Sequence, residues 1–480
     1  MPPASTSAPP IAPIIQSMTK SSPVILTSIS PLLKKLSQAP HTVTPEEVNA
    51  AISQLFSNSL SPVQATAFLT SLHFTKLDEN PGNIAAAARG MRKAGVRITG
   101  LEPRFVSLPN QRLPGSAGAY NGGLVDIAGT GGDGHDTFNV STTAAILATS
   151  CGLQVCKHGN KASTSTSGSA DVLAALGADL TAINADKVRD IFLHQAAAAR
   201  GKKVHSSTLV PYCPPQTTGT FCFVFAPVFH PSVKHVAPIR SSLPFRTIFN
   251  FLGPLVNPID YSLPGGLEAR VIGVGNPCFG RIFADTLVLL GVTRALIVCG
   301  TESLDEISPA VETYAWKVRR SRPGERISCN GNSSSSNSSS SGGGGAVVEE
   351  FKLHPTKTFG LRTHSLSRVA GGKSPQENAA IMKRLLRGEI DPDSNADTDE
   401  RAILDFVIAN TAAMLVVAGV TDTRPGETWL DEENVDAGVV VGGRWIDAVN
   451  LVKKGIRSGK AWLAWQDFAD WTRASPPKGH

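Results

Sequence analysis

Two glycine-containing loops carry the residue types that bind phosphate. The first, residues 129–134 (GTGGDG), follows a short apolar run and precedes a helical pattern. Glycines let backbone amides approach an oxyanion, and the N-terminus of the next helix adds partial positive charge. The spacing also matches the dinucleotide fingerprint G-x-G-x-x-G, but Asp133 would repel a bare pyrophosphate and Lys157 stands where an acid for ribose is expected. The loop therefore predicts a phosphate site that includes a metal ion.

The second loop, residues 157–169, follows the next apolar run. Lys157 supplies a positive charge, and Ser169 lies at the start of another helical pattern. Two anion-binding loops after successive strands favour a ligand with two phosphate groups. His158 is interpreted as a wall residue and not as an acid or base. Asn139 and Ser141 fit helix caps as well as anion ligands, and for isolated residues capping is the favoured interpretation.

Charged side chains further along the chain could complete such a site. Asp305 and Glu306 are adjacent carboxylates after a predicted strand. Hard oxygen ligands of this kind hold Mg²⁺ together with substrate phosphates, although a lone acidic pair is usually an ordinary surface loop. Arg240 and Arg246 fit surface residues, but a guanidinium can also grip a substrate carboxylate through two hydrogen bonds.

The elements that must position these residues alternate along the chain. Strands are expected at 124–127, 154–156, 269–274 and 294–300, and helices at 139–150, 169–176 and 276–290. Such alternation predicts βαβ units and a largely parallel sheet. Residues 31–98 differ, because their apolar spacing and the capping sequence at Thr44 predict a block of short helices.

Composition limits the class of protein. The chain has 480 residues, a formal charge of +6 and 41% hydrophobic residues, which fits two to four folded domains and no nucleic-acid partner. The apolar stretch at 402–420 contains Asp405, Asn410 and Thr411, so we expect a buried helix and no membrane partner. Seven cysteines without a C-x-x-C pair fit a reducing compartment. Residues 1–30 are expected to be a disordered tail, which favours a cytoplasmic location over a plastid transit peptide.

Four separated segments resemble the anthranilate phosphoribosyltransferase family. They are GTGGDGHDTFNVST (129–142), KHGNKASTSTSGSADVLAALG (157–177), APVFHPSVKHVAPIRSSLPFRTIFNFLGPLVNP (226–258) and LDEISP (304–309). The resemblance covers roughly residues 32–470. One departure is Phe229, which stands where many members carry His or Tyr near the entry for anthranilate.

The resemblance implies a fold and an activity. A small, discontinuous helical domain (31–103 with about 227–255) is expected beside a larger α/β domain with a mostly parallel central sheet (120–226 and 256–470), interrupted by insertions at 195–220 and 321–345. The implied reaction transfers phosphoribosyl from 5-phosphoribosyl 1-pyrophosphate to the amine of anthranilate, in tryptophan biosynthesis, with Mg²⁺ as cofactor. The implied assembly is a homodimer.

Site residues follow from the same resemblance, position by position. The sugar donor is expected to contact Gly129, Gly132, Asp133, Thr137, Asn139, Ser141, Thr142, Lys157 and Ser169. Anthranilate is expected to contact Gly129, His158, Asn160 and Arg240, and the metal Ser141, Asp305 and Glu306. No residue is expected to act as general acid or base. A pyrimidine-nucleoside phosphorylase and a non-catalytic nucleic-acid-binding relative are the alternative functions.

Overall fold

The computed structural model describes residues 26–101, 120–162, 166–198, 219–259, 266–321, 346–371, 374–422 and 435–474. A small N-terminal helical domain lies beside a larger α/β domain built on one nine-stranded sheet, which confirms the predicted fold class. Most of the predicted tail and of the two predicted insertions lies outside the described residues, so the predicted location of the protein stays a prediction.

Within residues 26–101, the N-terminal domain contains four α-helices whose starts follow from local sequence. They are α1 (Ser30–Gln38), α2 (Pro45–Phe56), α3 (Pro62–Phe74) and α4 (Pro81–Ala94), each with a proline in its first turn. At α2, the Thr44 side chain accepts a hydrogen bond from the Glu47 amide, and the Glu47 carboxylate accepts one from the Thr44 amide. This reciprocal cap satisfies two amides that the helix leaves unpaired.

The sheet of the larger domain is parallel in its first half. Its strands are β1 (Leu124–Gly129), β2 (Gln154–Gly159), β3 (Thr220–Phe225), β4 (Leu267–Gly273), β5 (Arg294–Gly300), β6 (Thr313–Arg320), β7 (Ala346–Leu353), β8 (Val435–Asp436) and β9 (Val439–Val440). Their order is β3-β2-β1-β4-β5-β6-β7-β9-β8. Strands β1 to β5 pair in parallel, whereas β6 is antiparallel to both β5 and β7. The chain leaves β1 in one direction across the sheet and later returns to β4 on its other side, which places a topological switch point between these strands.

The remaining helices complete the two domains. They are α5 (Val140–Thr149), α6 (Ser169–Ala175), α7 (Ala185–Ala198), α8 (Ala226–Phe229), α9 (Ala237–Ser242), α10 (Phe249–Leu252), α11 (Cys278–Leu289), α12 (Pro355–Phe359), α13 (Pro375–Leu386), α14 (Asp399–Ala418), α15 (Arg444–Arg457) and α16 (Lys460–Arg473). Val236, Phe249 and Leu252 share a core with the N-terminal helices, together with α11 and one face of β4 and β5.

Helix α14 lies at the centre of the larger domain. Within the part of the chain that the structure describes, it is the one helix long and apolar enough to cross a membrane, and its residues from Arg401 to Ala418 are buried inside the protein. It packs against α5, α15 and β4. The predicted buried helix at 402–420 is therefore confirmed.

Candidate active site

The first glycine loop leaves the end of β1 and meets the acidic loop that follows β5. Gly131, Gly132 and Gly134 have positive φ angles of 65°, 68° and 81°, a conformation that glycine adopts without strain. The amide of Gly131 donates a 2.7 Å hydrogen bond to the Asp305 carboxylate. At the end of β4, a Cβ on Gly273 would lie 1.5 Å from the carbonyl oxygen of Asp305. The glycines at the ends of β1 and β4 therefore leave room for the backbone of the acidic loop at the switch point.

Three carboxylates gather at this point. The pKa of Asp305 is raised to about 7. Burial is the largest cause, and the negative charge of the nearby Asp133 carboxylate is the second. Burial and the Asp305 charge raise the pKa of Glu306, whose carboxylate accepts a 3.2 Å hydrogen bond from the Thr137 hydroxyl. A divalent cation fits here because it would offset this crowded negative charge with oxygen ligands.

The ligand set for such an ion is incomplete in the protein alone. Across the described ranges, no group of three or more His, Cys, Asp or Glu side chains is arranged to hold a metal by itself. Mg²⁺ usually keeps water and substrate phosphate among its ligands, so two carboxylates and a hydroxyl are a suitable protein contribution. The hydroxyl of Ser141, on the first turn of α5, lines the same cavity as Asp305 and Glu306.

Lys157 reaches this cavity from the end of β2. Its ammonium group donates to the Ile127 carbonyl at 2.6 Å and lies 3.4 Å from the Ser141 hydroxyl. Burial lowers its pKa to about 8. A buried, partly compensated cation beside a glycine loop is well suited to receive phosphate.

The starts of α5 and α6 are in direct contact at the wall of the cavity. The favoured capping role for Asn139 is wrong, because its side chain makes no cap hydrogen bond and instead donates to the Ser167 carbonyl at 2.8 Å. Ser141 lies inside the first turn of α5. Thr142 is fully buried behind the cavity wall and donates to the Ser169 hydroxyl at 2.8 Å.

The predicted donor and metal residues therefore converge. They surround a polar cavity of about 560 Å³ whose lining includes Gly129, Gly132, Asp133, Thr137, Asn139, Ser141, Lys157, His158, Asn160, Ser169, Asp305 and Glu306. Thr142 is absent from this lining, and its hydroxyl reaches the cavity only through Ser169.

A second cavity of about 640 Å³ adjoins the first and is mainly apolar. The two cavities share Gly129, His158 and Asn160. Arg240, on α9, lines the second cavity with its guanidinium 5.6 Å from the centre of the Phe249 ring. Met91, on α4 of the N-terminal domain, lines it too. A flat, apolar ligand with one carboxylate would suit this space.

Two histidines that line the apolar cavity are neutral near pH 7, and one of them, His158, also lines the polar cavity. Burial lowers the pKa of His158 to about 4 and that of His230 to about 3. Each imidazole has one nitrogen paired with a backbone carbonyl, of Gly253 at 3.2 Å and of Val256 at 2.9 Å respectively. This geometry fits wall residues.

Two details add to what the sequence suggested. The guanidinium of Arg246 contacts the backbone carbonyls of Gly131 and Gly132. The sequence left Arg246 open between a surface residue and a ligand-binding residue, and in the structure it connects the segment after α9 to the phosphate loop. The position of Arg246, six residues after Arg240 in the same motif, is the feature of the sequence that indicates a role near the site. Phe229 is fully buried and does not itself line the second cavity, although Pro227 and His230 beside it do, so its expected position near the anthranilate entry stays a prediction.

The fold and the paired cavities define a class of glycosyl-transferring proteins. Residues 30–95 match the family model "Glycosyl transferase family, helical bundle domain". Residues 121–205, 216–329 and 333–462 match "Glycosyl transferase family, a/b domain". Together these models cover both domains described above.

Comparison with individual proteins narrows the class. An anthranilate phosphoribosyltransferase from Schizosaccharomyces pombe is 36% identical over 399 residues, which is 82% of this chain and 89% of the relative. The enzyme of that name from Saccharomyces cerevisiae, in complex with PRPP and Mg, superposes with a TM-score of 0.65 at 27% identity, covering 92% of this chain and 96% of that one. The same yeast enzyme in complex with 4-fluoroanthranilate gives a TM-score of 0.64 at 26% identity and the same coverage. The chain belongs to the anthranilate phosphoribosyltransferase family.

Proposed function

We propose that this protein transfers the 5-phosphoribosyl group from phosphoribosyl pyrophosphate to the amine of anthranilate. The products are N-(5-phosphoribosyl)anthranilate and pyrophosphate, and the reaction belongs to tryptophan biosynthesis. The observation that carries the proposal is the pair of adjoining cavities, one polar with Lys157, Asp305 and Glu306, the other apolar with Arg240. The relatives' complexes with PRPP and Mg and with 4-fluoroanthranilate support both substrates.

The polar cavity is proposed to hold the sugar donor. Lys157 and the amides of the glycine loop are proposed to bind its phosphates, and Ser169 and Asn139 line the same cavity. Thr142 supports Ser169 through its hydrogen bond instead of touching the donor. Preorganised amides and a buried cation stabilise charge that develops on the departing pyrophosphate.

Asp305, Glu306 and Ser141 are proposed to hold Mg²⁺, with the donor's phosphates completing its coordination. When bound, the ion supplies positive charge that stabilises the leaving pyrophosphate. The crowding of Asp133, Asp305 and Glu306, which raises the pKa of both loop carboxylates, supports a cation at this point.

The apolar cavity is proposed to hold anthranilate. Arg240 is positioned to receive its carboxylate, and Asn160 and His158 line the side nearest the donor. The aromatic amine is already neutral at pH 7, so its attack needs no general base. Holding the amine against C1 of the ribose replaces a bimolecular encounter, which can be worth about 7–11 kcal/mol. Closure of the N-terminal helices and α9 over the cavity would exclude water from the reacting atoms.

A homodimer is proposed on the basis of an exposed apolar face. Val63 and Phe74, on α3, are 79% and 73% exposed. They are eleven residues apart, about three helical turns, and therefore lie on the same face of the helix. Exposed apolar patches often mark contacts between protein surfaces, and a copy of this face would cover both side chains.

The reaction is tested by following anthranilate fluorescence after adding phosphoribosyl pyrophosphate to the purified protein. We expect the fluorescence of free anthranilate to be consumed with Mg²⁺ and not with a chelator. Fluorescence that stays unchanged with both substrates and Mg²⁺ present would contradict the proposal. A parallel assay of thymidine phosphorolysis separates the nucleoside phosphorylase alternative, which uses inorganic phosphate and no pyrophosphorylated sugar.

A further inference from the structure

Helix α14 contains buried polar side chains that an apolar core helix does not require. All of its residues from Arg401 to Ala418 are buried, yet Asp405, Asn410 and Thr411 interrupt the apolar run. A buried amide without a partner costs about 1–3 kcal/mol. The partners of these side chains therefore indicate what the helix does beyond packing.

Asn410 binds the main chain of the acidic loop. Its side-chain oxygen accepts a 3.2 Å hydrogen bond from the Ile307 amide, and its NH₂ group donates to the carbonyls of Phe406 at 3.0 Å and Ile307 at 3.4 Å. Asn410 and Ile307 are each 1% exposed. One side-chain amide thus holds both backbone groups of the residue that directly follows Glu306.

A second polar residue of α14 is connected to the same loop two residues further on. The Asp405 carboxylate lies 2.8 Å from the His364 ring, and the His364 amide donates to the Pro309 carbonyl at 2.8 Å. Thr411 differs, because its hydroxyl bonds only within the helix, to the Val407 carbonyl at 2.7 Å. The side of the loop that faces away from the cavity is therefore attached to α14 at two points.

The cavity side of the loop has few attachments of its own. The described contacts of its two acidic residues are the Gly131 amide on the Asp305 carboxylate, the Asp305 amide on the Asp133 carboxylate at 3.4 Å, and the Thr137 hydroxyl on Glu306. The further attachments come from the buried helix behind the loop, through Asn410 and the His364–Asp405 pair.

We propose that Asn410 is a positioning residue for the metal site, which it serves by fixing the backbone on which Glu306 stands. It touches neither substrate nor metal. The inference rests on the proposed function, because it takes Glu306 as a ligand of the divalent ion. Residues that orient metal ligands from behind typically contribute about 10- to 100-fold to metal affinity or activity.

The test uses the full chain and compares Asn410→Leu with Thr411→Val. Both changes remove a buried polar group from neighbouring positions of α14, but only the first removes bonds to the loop. Mn²⁺ is titrated into protein with phosphoribosyl pyrophosphate and no anthranilate, and bound metal is followed by electron paramagnetic resonance. We expect Asn410→Leu to weaken Mn²⁺ binding about 10-fold or more, and Thr411→Val to leave it unchanged.

Steady-state kinetics provide the second measurement. In Asn410→Leu the Mg²⁺ concentration for half-maximal activity should rise, while KM for anthranilate stays close to that of the wild type. A circular-dichroism spectrum checks folding, and Asn410→Ser, which adds no bulk, replaces the leucine variant if that one does not fold. Wild-type Mn²⁺ affinity in a folded Asn410 variant overturns the inference alone. Absence of Mn²⁺ binding in the wild type overturns the proposed metal site and the inference with it.

Discussion

At the scale of the residue, the two cavities differ in the charged side chains that line them, and each set suits a different substrate. Lys157 and the carboxylates of Asp305 and Glu306 surround the polar cavity, whereas Arg240 brings a positive charge to the apolar one. His158 lies between them and is kept neutral by burial. The assignment of substrates to cavities can therefore be tested one side chain at a time.

Replacement of Arg240 by alanine should weaken anthranilate binding selectively. Hydrogen bonds to charged groups contribute about 1.5–3 kcal/mol, so we expect KM for anthranilate to rise about 10- to 100-fold. Arg240→Lys keeps the charge but not the planar fork and should lose part of this affinity. Initial rates with each substrate varied in turn provide the measurement. If KM rises for the sugar donor and not for anthranilate, the two cavities are assigned the wrong way round.

The buried histidines predict a specific dependence of stability on pH. Their folded pKa values of about 4 for His158 and about 3 for His230 lie below the usual 6.5. As pH falls from about 6.5 to about 4, the unfolded chain binds protons that the folded chain does not, so the free energy of unfolding decreases. Above about 6.5 these groups contribute no change. The nearby charges of Arg270 and Lys157 act in the same direction as burial at His158.

Urea unfolding checks this prediction at about pH 7 and about pH 5, where each pKa unit corresponds to about 1.4 kcal/mol. Wild-type protein should lose more stability between the two conditions than His158→Asn, which lacks one titrating group. An equal loss in both proteins would mean that His158 is protonated in the folded state at the lower pH.

At the scale of the element, the ends of β1 and β4 decide whether the acidic loop can reach the site. Gly273→Ala would place a Cβ 1.5 Å from the Asp305 carbonyl oxygen, so the loop must move. A displacement of about 1 Å can cost about 100-fold in rate, and we expect a loss of this order in turnover together with a higher Mg²⁺ requirement. Gly82→Ala, in α4, is the matched control because it changes the same residue type far from the loop. Wild-type kinetics in Gly273→Ala would show that the loop tolerates displacement.

At the scale of the whole molecule, the exposed face of α3 predicts the oligomeric state. Val63→Glu combined with Phe74→Glu should convert a dimer into single chains of 50.4 kDa, because two carboxylates cannot be buried against a copy of the same face. Light scattering after size-exclusion chromatography measures the mass. Val435→Glu, at a 51% exposed position on β8, serves as the control. A wild-type protein that is already a single chain would contradict the proposed homodimer.

The sequence by itself determined the fold class, the phosphate loops and the acidic pair. Each of these depends on local pattern: apolar runs that alternate with helices, glycines before a helix start, and carboxylates after a strand. The strand expected at 294–300 has the bounds of β5, and the helix expected at 276–290 differs from α11 only at its ends. Local steric and hydrogen-bonding preferences are sufficient for such features.

Only the tertiary structure decided which side chains face the cavities and which support them. Thr142 and Asn139 have the residue types of ligands or caps, but one is buried behind Ser169 and the other binds the Ser167 carbonyl. Arg246 meets the glycine loop across 114 positions of chain, and Asn410 meets Ile307 across 103. Contacts of such sequence separation depend on how β1, β5 and α14 pack, and no local pattern carries that information.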